Sequence, residues 1–142
     1  MLNAIEQQQI KFSIRVMVVN DEGKVLLGLK KKGFNANSWI FPGGQMDFGE
    51  TVAQCGRREV WEETALQVTI EGMIDVVSET QGEKHVVFIN LLASGKGQPV
   101  VTEPKEMIEW NWFYQNELPD NTTFSVRKAI DKIKDGQPVI PL

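Results

Sequence analysis

The order of the predicted elements indicates an α+β fold, a sandwich in which a mixed sheet lies between helices. Three observations predict it. The chain has 142 residues, the size of one domain. Strand-like and helical segments follow each other in the order strands, helix, strands, helix, and the last helix has a single apolar face. No Pro-rich or Ser-rich linker interrupts the chain, so we expect residues 1–142 to form one domain.

A β-hairpin is predicted near the start of the chain. Residues 12–19 are rich in β-branched and apolar side chains, residues 20–23 are typical of a turn, and residues 24–29 resume a strand. A polar stretch over residues 30–38 indicates a loop, and a short strand is expected over residues 39–41.

The first helix is predicted from Val52 to Thr64, directly after a loop that contains Gly43 and Gly44. Thr51 and Gln54, three residues apart, fit a capping box at the helix start. Glycine lets the backbone approach a ligand closely. A carbonyl or amide group of this loop is therefore a candidate contact for a metal ion or a phosphate.

Three further strands and a second helix complete the prediction. The strands are expected over residues 68–77, 85–93 and 109–114. The helix begins after a cap at Thr122 or Thr123. Its apolar face recurs at helical spacing, at Val126, Ala129, Ile130 and Ile133, and Gly136 follows its end.

Composition and charge exclude several classes of protein. The net charge is −4, the opposite of a polynucleotide-binding footprint, although small anions remain possible ligands. No apolar run approaches the ~20 residues that span a bilayer, so we expect no membrane partner. The start of the chain, Met1 to Gln9, lacks the pattern of a leader peptide, which predicts a cytoplasmic protein. Cys55 is the single cysteine and is interpreted as a small buried apolar side chain.

Three carboxylates project from one face of the first predicted helix. Glu59, Glu62 and Glu63, hereafter the carboxylate cluster, fall in one sector at about 100° per residue. A solvated acidic stripe is the alternative interpretation, but such stripes usually carry Lys or Arg four residues after each Glu, and none stands there. A hard cation such as Mg²⁺ would relieve the repulsion between these carboxylates.

The same region resembles the Nudix box, a signature of glycine, glutamate and arginine residues at fixed spacings. The matching positions are Gly44, Glu50, Arg58, Glu59, Val60, Glu62, Glu63 and Leu66. Ala65 departs from the pattern, which has Gly there. Residues 12–134 are similar to the MutT-like branch of the Nudix hydrolases. The resemblance implies a Nudix-type α/β/α sandwich.

The resemblance also implies roles for the matching residues. The carboxylate cluster would hold Mg²⁺, with Mn²⁺ as a substitute, and Glu59 would also act as the base that activates water. The backbone carbonyl of Gly43 would be a further metal ligand. An additional metal-binding glutamate is expected near the strand that precedes the C-terminal part, at Glu109 or at its rival Glu106.

Arg58 is implied to pair with Glu50 and to hold the glycine loop against the helix. We therefore expect Arg58 to belong to the catalytic set, beside the carboxylate cluster, as the residue that organises the site. If the helix ends at Ala65 in a left-handed conformation, as the family glycine implies, alanine would cost on the order of 1 kcal/mol there.

Four residues are predicted to contact the substrate: Gly44, Arg15, Lys30 and Trp39. Lysines are usually solubilising and aromatic side chains in strands usually belong to the core, so these are alternative interpretations for Lys30 and Trp39. His85 is the single histidine, and we expect a structural or rim position for it.

The expected activity is hydrolysis of nucleoside triphosphates to a monophosphate and pyrophosphate, with purine deoxynucleotides, including oxidised ones, favoured by the resemblance. One alternative is a Nudix diphosphatase that acts on NADH, ADP-ribose or a nucleotide sugar. A second alternative is a regulatory module that binds nucleotides without turnover. A small nucleotide is the expected partner, and a homodimer is possible by analogy with relatives.

Overall fold

The structure is a computed structural model that describes residues 9–142. The sequence predicts that Met1 to Gln9 do not form a leader peptide. Residues 1–8 of this segment lie outside the described residues. The elements found in the described part are β1 (Ile10–Val19), β2 (Val25–Lys30), β3 (Trp39–Ile40), β4 (Gly43–Gln45), α1 (Val52–Thr64), β5 (Val68–Gln81), β6 (Lys84–Gly95), β7 (Met107–Phe113) and α2 (Phe124–Lys134). Neither helix is long and apolar enough to span a membrane.

The strands form one mixed sheet, as predicted. The main order is β3-β2-β1-β6-β5, and β4 pairs with β1 while β7 pairs with β2. The pairing of β1 with β6 is parallel, whereas the other pairings are antiparallel. Because β1 runs through the middle of this sheet, its side chains reach both helical layers.

The predicted hairpin of β1 and β2 forms only at its turn. The two strands pair at Val19 and Val25 and then separate. β1 pairs along its whole length with β6, and its residues 13–15 pair with β4. β2 instead pairs with β7. The glycine loop therefore contains a short strand, Gly43–Gln45, which the sequence prediction missed because glycine has low strand propensity.

Each face of the sheet has its own apolar core, which confirms the predicted sandwich. Ile14, Val16 and Val18 of β1 belong to the core beneath α1, whereas Met17 belongs to the core beneath α2. This division follows the alternation of side chains along a strand. α1 contributes Cys55 and Val60 to its core, and α2 contributes Val126, Ala129 and Ile130 to the other.

The ends of α1 have the predicted geometry. The Thr51 hydroxyl accepts from the Gln54 N–H at 3.1 Å, and the Gln54 side chain accepts from the Thr51 N–H at 2.9 Å. The helix ends at Ala65, whose φ of 61° is left-handed. The capping box and the left-handed end are both confirmed, so the sequence fixes the start and the end of the helix that carries the carboxylate cluster.

The hairpin of β5 and β6 is longer than predicted. β5 extends to Gln81, and β6 begins at Lys84. The sequence predicts an end of β5 near residue 77 and a start of β6 at residue 85. The added segment is polar, so it lacks the apolar alternation on which the prediction rests. The second helix is capped by Thr123, one of the two predicted residues. The longer hairpin extends one wall of the cleft described below.

Candidate active site

Arg58 joins the loop after β4 to helix α1. Its Nε and Nη2 donate to the two oxygens of Glu50 at 2.9 and 2.7 Å, and Nη2 also donates to the Gln45 carbonyl at 3.0 Å. These bonds confirm the predicted pairing of Arg58 with Glu50. The Arg58 hydrogen bonds hold the pKa of the Glu50 carboxyl near 2, below its ordinary 4.5. Arg58 therefore fixes the loop against the helix.

The same guanidinium also organises part of the carboxylate cluster. Its Nη1 donates to Glu59 Oε1 at 2.9 Å and to Glu62 Oε2 at 3.0 Å. One nitrogen thus brings two carboxylates of the helix together. The family resemblance implied the pairing of Arg58 with Glu50 only, and the two additional contacts follow from the positions of these side chains on one helical face.

The remaining contacts of the cluster are with the glycine strand β4. The backbone N–H of Gly43 donates to Glu63 Oε1 at 2.7 Å. A Cβ at Gly44 would lie 2.4 Å from the Glu59 carboxyl, and a Cβ at Gly43 would lie 1.9 Å from the Ile14 carbonyl oxygen. Gly43 therefore requires glycine, because any side chain would collide with the backbone of β1, whereas a side chain at Gly44 would displace the Glu59 carboxyl from its place in the cluster.

Burial and mutual repulsion raise the pKa values of two cluster carboxyls. Burial is the largest cause for Glu63, whose pKa rises to about 7 although the Gly43 N–H and Arg15 oppose the shift. Burial also raises the pKa of Glu59, against the opposing effect of Arg58. Crowded carboxylates that are hard to ionise are a setting in which a bound cation is strongly favoured.

A fourth acidic residue approaches the cluster, and it is Glu103. Its charge raises the pKa of both Glu59 and Glu63. The loop that carries it is fixed to the end of α1, where the Thr102 hydroxyl donates to the Glu62 carbonyl and the Val100 N–H donates to the Thr64 carbonyl at 2.9 Å.

The two glutamates predicted for this role lie elsewhere. Glu109 is an exposed residue of β7 that pairs with Leu29, and the Glu106 carboxylate lies 3.6 Å from the Lys32 ammonium. The additional metal ligand remains a prediction, and Glu103 is a third candidate for it beside Glu109 and Glu106. The available signal was a glutamate directly before Pro104, in the extended loop that leads into β7.

The oxygen donors around α1 suit a hard divalent cation. Within residues 9–142, no three acidic, histidine or cysteine side chains are already arranged as a metal site. Two of the cluster carboxylates, Glu59 and Glu62, accept hydrogen bonds from Arg58. The residues that would hold a metal are the carboxylate cluster together with the Gly43 carbonyl. All of these ligands are oxygens, the type that Mg²⁺ and Mn²⁺ prefer.

A cleft of about 590 Å³ opens beside the glycine strand. Gly43 and Gly44 line one end of it, and Arg15 and Lys30 line the same cleft. The structure therefore brings together four of the residues predicted on separate segments. Further along the cleft lie Gln9, Lys11, Ser13, Phe34, Gln45, Glu83, Lys84, His85, Val86 and Phe88. Cations outnumber anions among these side chains, unlike in the whole chain.

Arg15 and Lys30 are the inner cations of the cleft. The Arg15 guanidinium is buried, donates from Nη1 to the Phe41 carbonyl at 3.0 Å and lies 4.7 Å from the centre of the Phe88 ring. Burial lowers the pKa of Arg15. Burial is also the largest cause of the lowered pKa of Lys30, and the charge of Arg15 is the second. Two cations this close together are matched by a polyanionic ligand.

Trp39 does not line the cleft. It is 8% exposed, belongs to the core beneath α2 and packs edge-on against Phe113 with ring centres 4.8 Å apart. Trp39 therefore has no free face for a base, which corrects its predicted substrate contact. The aromatic side chains of the cleft are Phe34 and Phe88, whose ring centres lie 5.9 Å apart. No sequence pattern distinguishes these two from core residues.

His85 lies on the wall of the cleft. Its Nε2 is 2.6 Å from the Ser78 hydroxyl, and the side chain is partly exposed. The predicted rim position is therefore confirmed.

Comparison with known proteins agrees with this arrangement. Residues 10–133 match the family described as NUDIX domain. The chain belongs to the Nudix family. It is a MutT-like Nudix hydrolase, and its fold superposes on a MutT NUDIX hydrolase from Burkholderia pseudomallei with a TM-score of 0.80 at 29% identity, covering 88% of this chain and 98% of the other.

Two relatives are similar to this chain in sequence. An "Oxidized purine nucleoside triphosphate hydrolase" from Danio rerio is 33% identical over 107 residues, which cover 75% of this Nudix chain and 68% of the relative. A "Putative 8-oxo-dGTP diphosphatase" from Bacillus subtilis is 28% identical over 123 residues, which cover 85% and 78% respectively. Both similarities include more than two thirds of each chain.

Proposed function

We propose that this Nudix hydrolase cleaves nucleoside triphosphates to a monophosphate and pyrophosphate in a reaction that requires Mg²⁺. The observation that carries the proposal is the junction of the carboxylate cluster and the cationic cleft at Gly43 and Gly44. A phosphate chain placed there would meet metal ligands on one side and Arg15 and Lys30 on the other.

The names of the two relatives support a purine deoxynucleotide, including an oxidised one, as the substrate. The first acts on oxidised purine nucleoside triphosphates by its name, and the second is named for 8-oxo-dGTP. Base identity remains part of the proposal, because the structural argument concerns the phosphate chain. A triphosphate fits this argument best, since its several charges match the paired cations.

The chemical problem is the attack of water on a polyanion. The bound divalent cation would neutralise phosphate oxygens and lower the pKa of water. Arg15 and Lys30 bind the phosphate chain and orient it along the cleft. The narrow approach at Gly43 and Gly44 allows the phosphates to lie directly against the backbone.

Glu59 is the proposed base that accepts the proton of the attacking water. Its carboxyl lies against Gly44, it is 15% exposed, and Arg58 Nη1 fixes one of its oxygens, which leaves the second oxygen for water. Glu63 also has one free oxygen, since its Oε1 accepts from the Gly43 N–H, and the choice of Glu59 as the base follows the Nudix resemblance.

A substrate panel tests the proposal. Purified protein is assayed with normal and oxidised purine deoxynucleoside triphosphates, pyrimidine triphosphates, NADH, ADP-ribose and a nucleotide sugar, and the products are separated by chromatography. We expect the highest kcat/KM with a triphosphate and pyrophosphate as the released product. Activity should disappear with EDTA and return with Mg²⁺, with Mn²⁺ as a substitute.

The same panel distinguishes the rival functions. A kcat/KM that is more than about tenfold higher for NADH, ADP-ribose or a nucleotide sugar would replace the triphosphate proposal by a bridged diphosphatase. Tight nucleotide binding without turnover of any compound would instead indicate a regulatory module. Orthophosphate as the first product from a triphosphate would contradict the proposed cleavage position.

A further inference from the structure

Arg15 is a buried cation with few fixed partners. The Phe41 carbonyl accepts from its Nη1, and the Phe88 ring lies beneath the guanidinium. Its Nε has no hydrogen-bond partner within residues 9–142, and no carboxylate there forms a salt bridge with it. A buried N–H group without a partner is costly, so a further acceptor is expected at this nitrogen.

A small cavity adjoins Arg15. Its volume is about 10 Å³, which is room for one water molecule, and its lining includes Arg15, Glu79 and Asn90. Glu79 Oε2 and Asn90 Oδ1 are both buried and, like Arg15 Nε, lack a hydrogen-bond partner among the described residues. One donor and two acceptors that border a space of this size can all be satisfied by a single bridging water.

The orientation of the Asn90 amide is fixed from the other side. Its Nδ2 donates to Asp75 Oδ1 at 2.7 Å, and the second oxygen of Asp75 accepts from Lys132 of α2 at 2.9 Å. Because an ionised carboxylate only accepts hydrogen bonds, the Asn90 nitrogen must face Asp75. The Asn90 oxygen is therefore available to the cavity.

Glu79 also places a negative charge near Arg15, and Glu79 is not one of the carboxylates that would hold a metal ion. The carboxylates that act most strongly on Arg15 are Glu63, Glu79 and Glu59. Two of these belong to the carboxylate cluster, whose negative charge a bound cation would offset. Glu79 is then the remaining anion beside Arg15.

We propose that Glu79 is a positioning residue for Arg15. Its carboxylate, together with the Asn90 amide oxygen and a bridging water, holds the guanidinium from behind. The N–H groups of Arg15 that are not bound to Phe41 then face the cleft, where they contact the phosphate chain. This role of Arg15 at the substrate rests on the proposed triphosphate hydrolysis, whereas its contact with Glu79 does not.

The contact is tested first without substrate. The variant is Glu79→Gln, and the matched control is Glu71→Gln, an exposed glutamate of the same strand. The ¹H–¹⁵N resonance of the Arg15 Nε–H reports the bridge, and that of the Arg58 Nε–H, which is bonded to Glu50 and does not line the cavity, reports general disturbance. We expect Glu79→Gln to shift the Arg15 signal alone and Glu71→Gln to shift neither.

Kinetics test the second step of the proposal. Glu79→Gln should raise KM for the best triphosphate roughly fivefold, the scale of one weakened hydrogen bond, and leave kcat within about twofold. Glu79→Asp, which keeps the charge, should raise KM less. In an Arg15→Met background, the substitution of Glu79 should have no additional effect on KM, because the residue acts through Arg15.

Different results separate the failures. An Arg15 Nε–H signal that is the same in wild type and Glu79→Gln would overturn the contact, and so would shifts of equal size in the Arg15 and Arg58 signals. A shifted Arg15 signal with an unchanged KM in Glu79→Gln would overturn the positioning role. The same role would be overturned if the substitution of Glu79 changed KM equally in the wild-type and Arg15→Met backgrounds. If no triphosphate is hydrolysed, the proposed function fails, and the resonance still decides the contact. If Glu79→Gln does not fold, the Arg15 resonance and KM are measured in Glu79→Asp. A Glu79→Asp protein whose Arg15 resonance and KM are both the same as in wild type would contradict the proposal.

Discussion

Arg58 and Glu50 form a two-point ion pair, in which Nε and Nη2 donate to the two carboxylate oxygens at 2.9 and 2.7 Å. The pair connects the loop after β4 to the middle of α1. Since the same guanidinium also contacts Glu59 and Glu62, its position affects both the loop and the carboxylate cluster. Stability and activity should therefore depend on the same side chain.

Arg58→Ala should lower both stability and activity. The change leaves Glu50, whose side chain is 14% exposed, without its cation and frees Glu59 to move. We expect the melting temperature to fall by on the order of 5 °C and kcat/KM to fall by at least ~10²-fold. Arg57→Ala is the matched control, because Arg57 is an exposed neighbour on the same helix. An Arg58→Ala protein as stable as the control would contradict the structural role of the pair.

The Glu50 pair should also make stability depend on acid. The pKa of Glu50 is near 2 in the folded protein and about 4.5 ordinarily, so the pair contributes its full stability above pH 4.5. That contribution is lost as the pH falls from 4.5 towards 2. The difference in melting temperature between wild type and Glu50→Gln should therefore be constant above about pH 5 and shrink below it. A difference that stays constant down to pH 2 would show that Glu50 is not held ionised by Arg58.

Ala65→Gly should stabilise the protein without altering turnover. Ala65 has a left-handed φ of 61°, a conformation that glycine adopts without strain. The expected gain is about 0.5–1 kcal/mol in the free energy of unfolding, measured by urea denaturation. Ala53→Gly, in the first turn of α1, is the control and should lower stability or leave it unchanged, because Ala53 has no left-handed φ to relieve. Equal effects of the two substitutions would argue against strain at Ala65.

Glu59→Gln should reduce turnover while the fold remains intact. The glutamine oxygen can still accept from Arg58 Nη1, but the side chain can no longer take a proton from water. We expect kcat to fall by at least ~10²-fold, with a melting temperature close to that of wild type. Retention of full kcat in the folded variant would remove Glu59 as the base.

Local signals explain which parts of the fold and site the sequence predicts. The capping box at Thr51, the left-handed Ala65 and the spacing of the carboxylate cluster depend on residues within one helix, so the sequence predicts them well. β1 separates from β2 because β4 and β6 pair with the two edges of β1. These pairings join distant segments, so no local sequence pattern predicts them.

The same reasoning applies to residues whose positions the sequence did not predict. Glu103 lies close enough to raise the pKa of Glu59 and Glu63 because Thr102 and Val100 bind the end of α1, a tertiary contact between distant segments. Trp39 is buried by α2, which lies far along the chain. The Nudix resemblance predicts tertiary contacts only where this chain matches the family signature. It therefore predicted the pairing of Arg58 with Glu50 correctly, but it gave no information on the positions of Phe34 and Phe88.

The dependence of turnover on Mg²⁺, compared between wild type and Glu63→Gln, tests the metal role of the carboxylate cluster most directly. The glutamine still accepts from the Gly43 N–H but is a weaker metal ligand than a carboxylate. Protein stripped with EDTA should be inactive, wild type should regain saturable activity as Mg²⁺ is added, and Glu63→Gln should need roughly tenfold more Mg²⁺ for half-maximal turnover. Turnover that persists in the stripped protein, or Mg²⁺ curves that coincide for the two proteins, would contradict the assignment of a catalytic metal to this cluster.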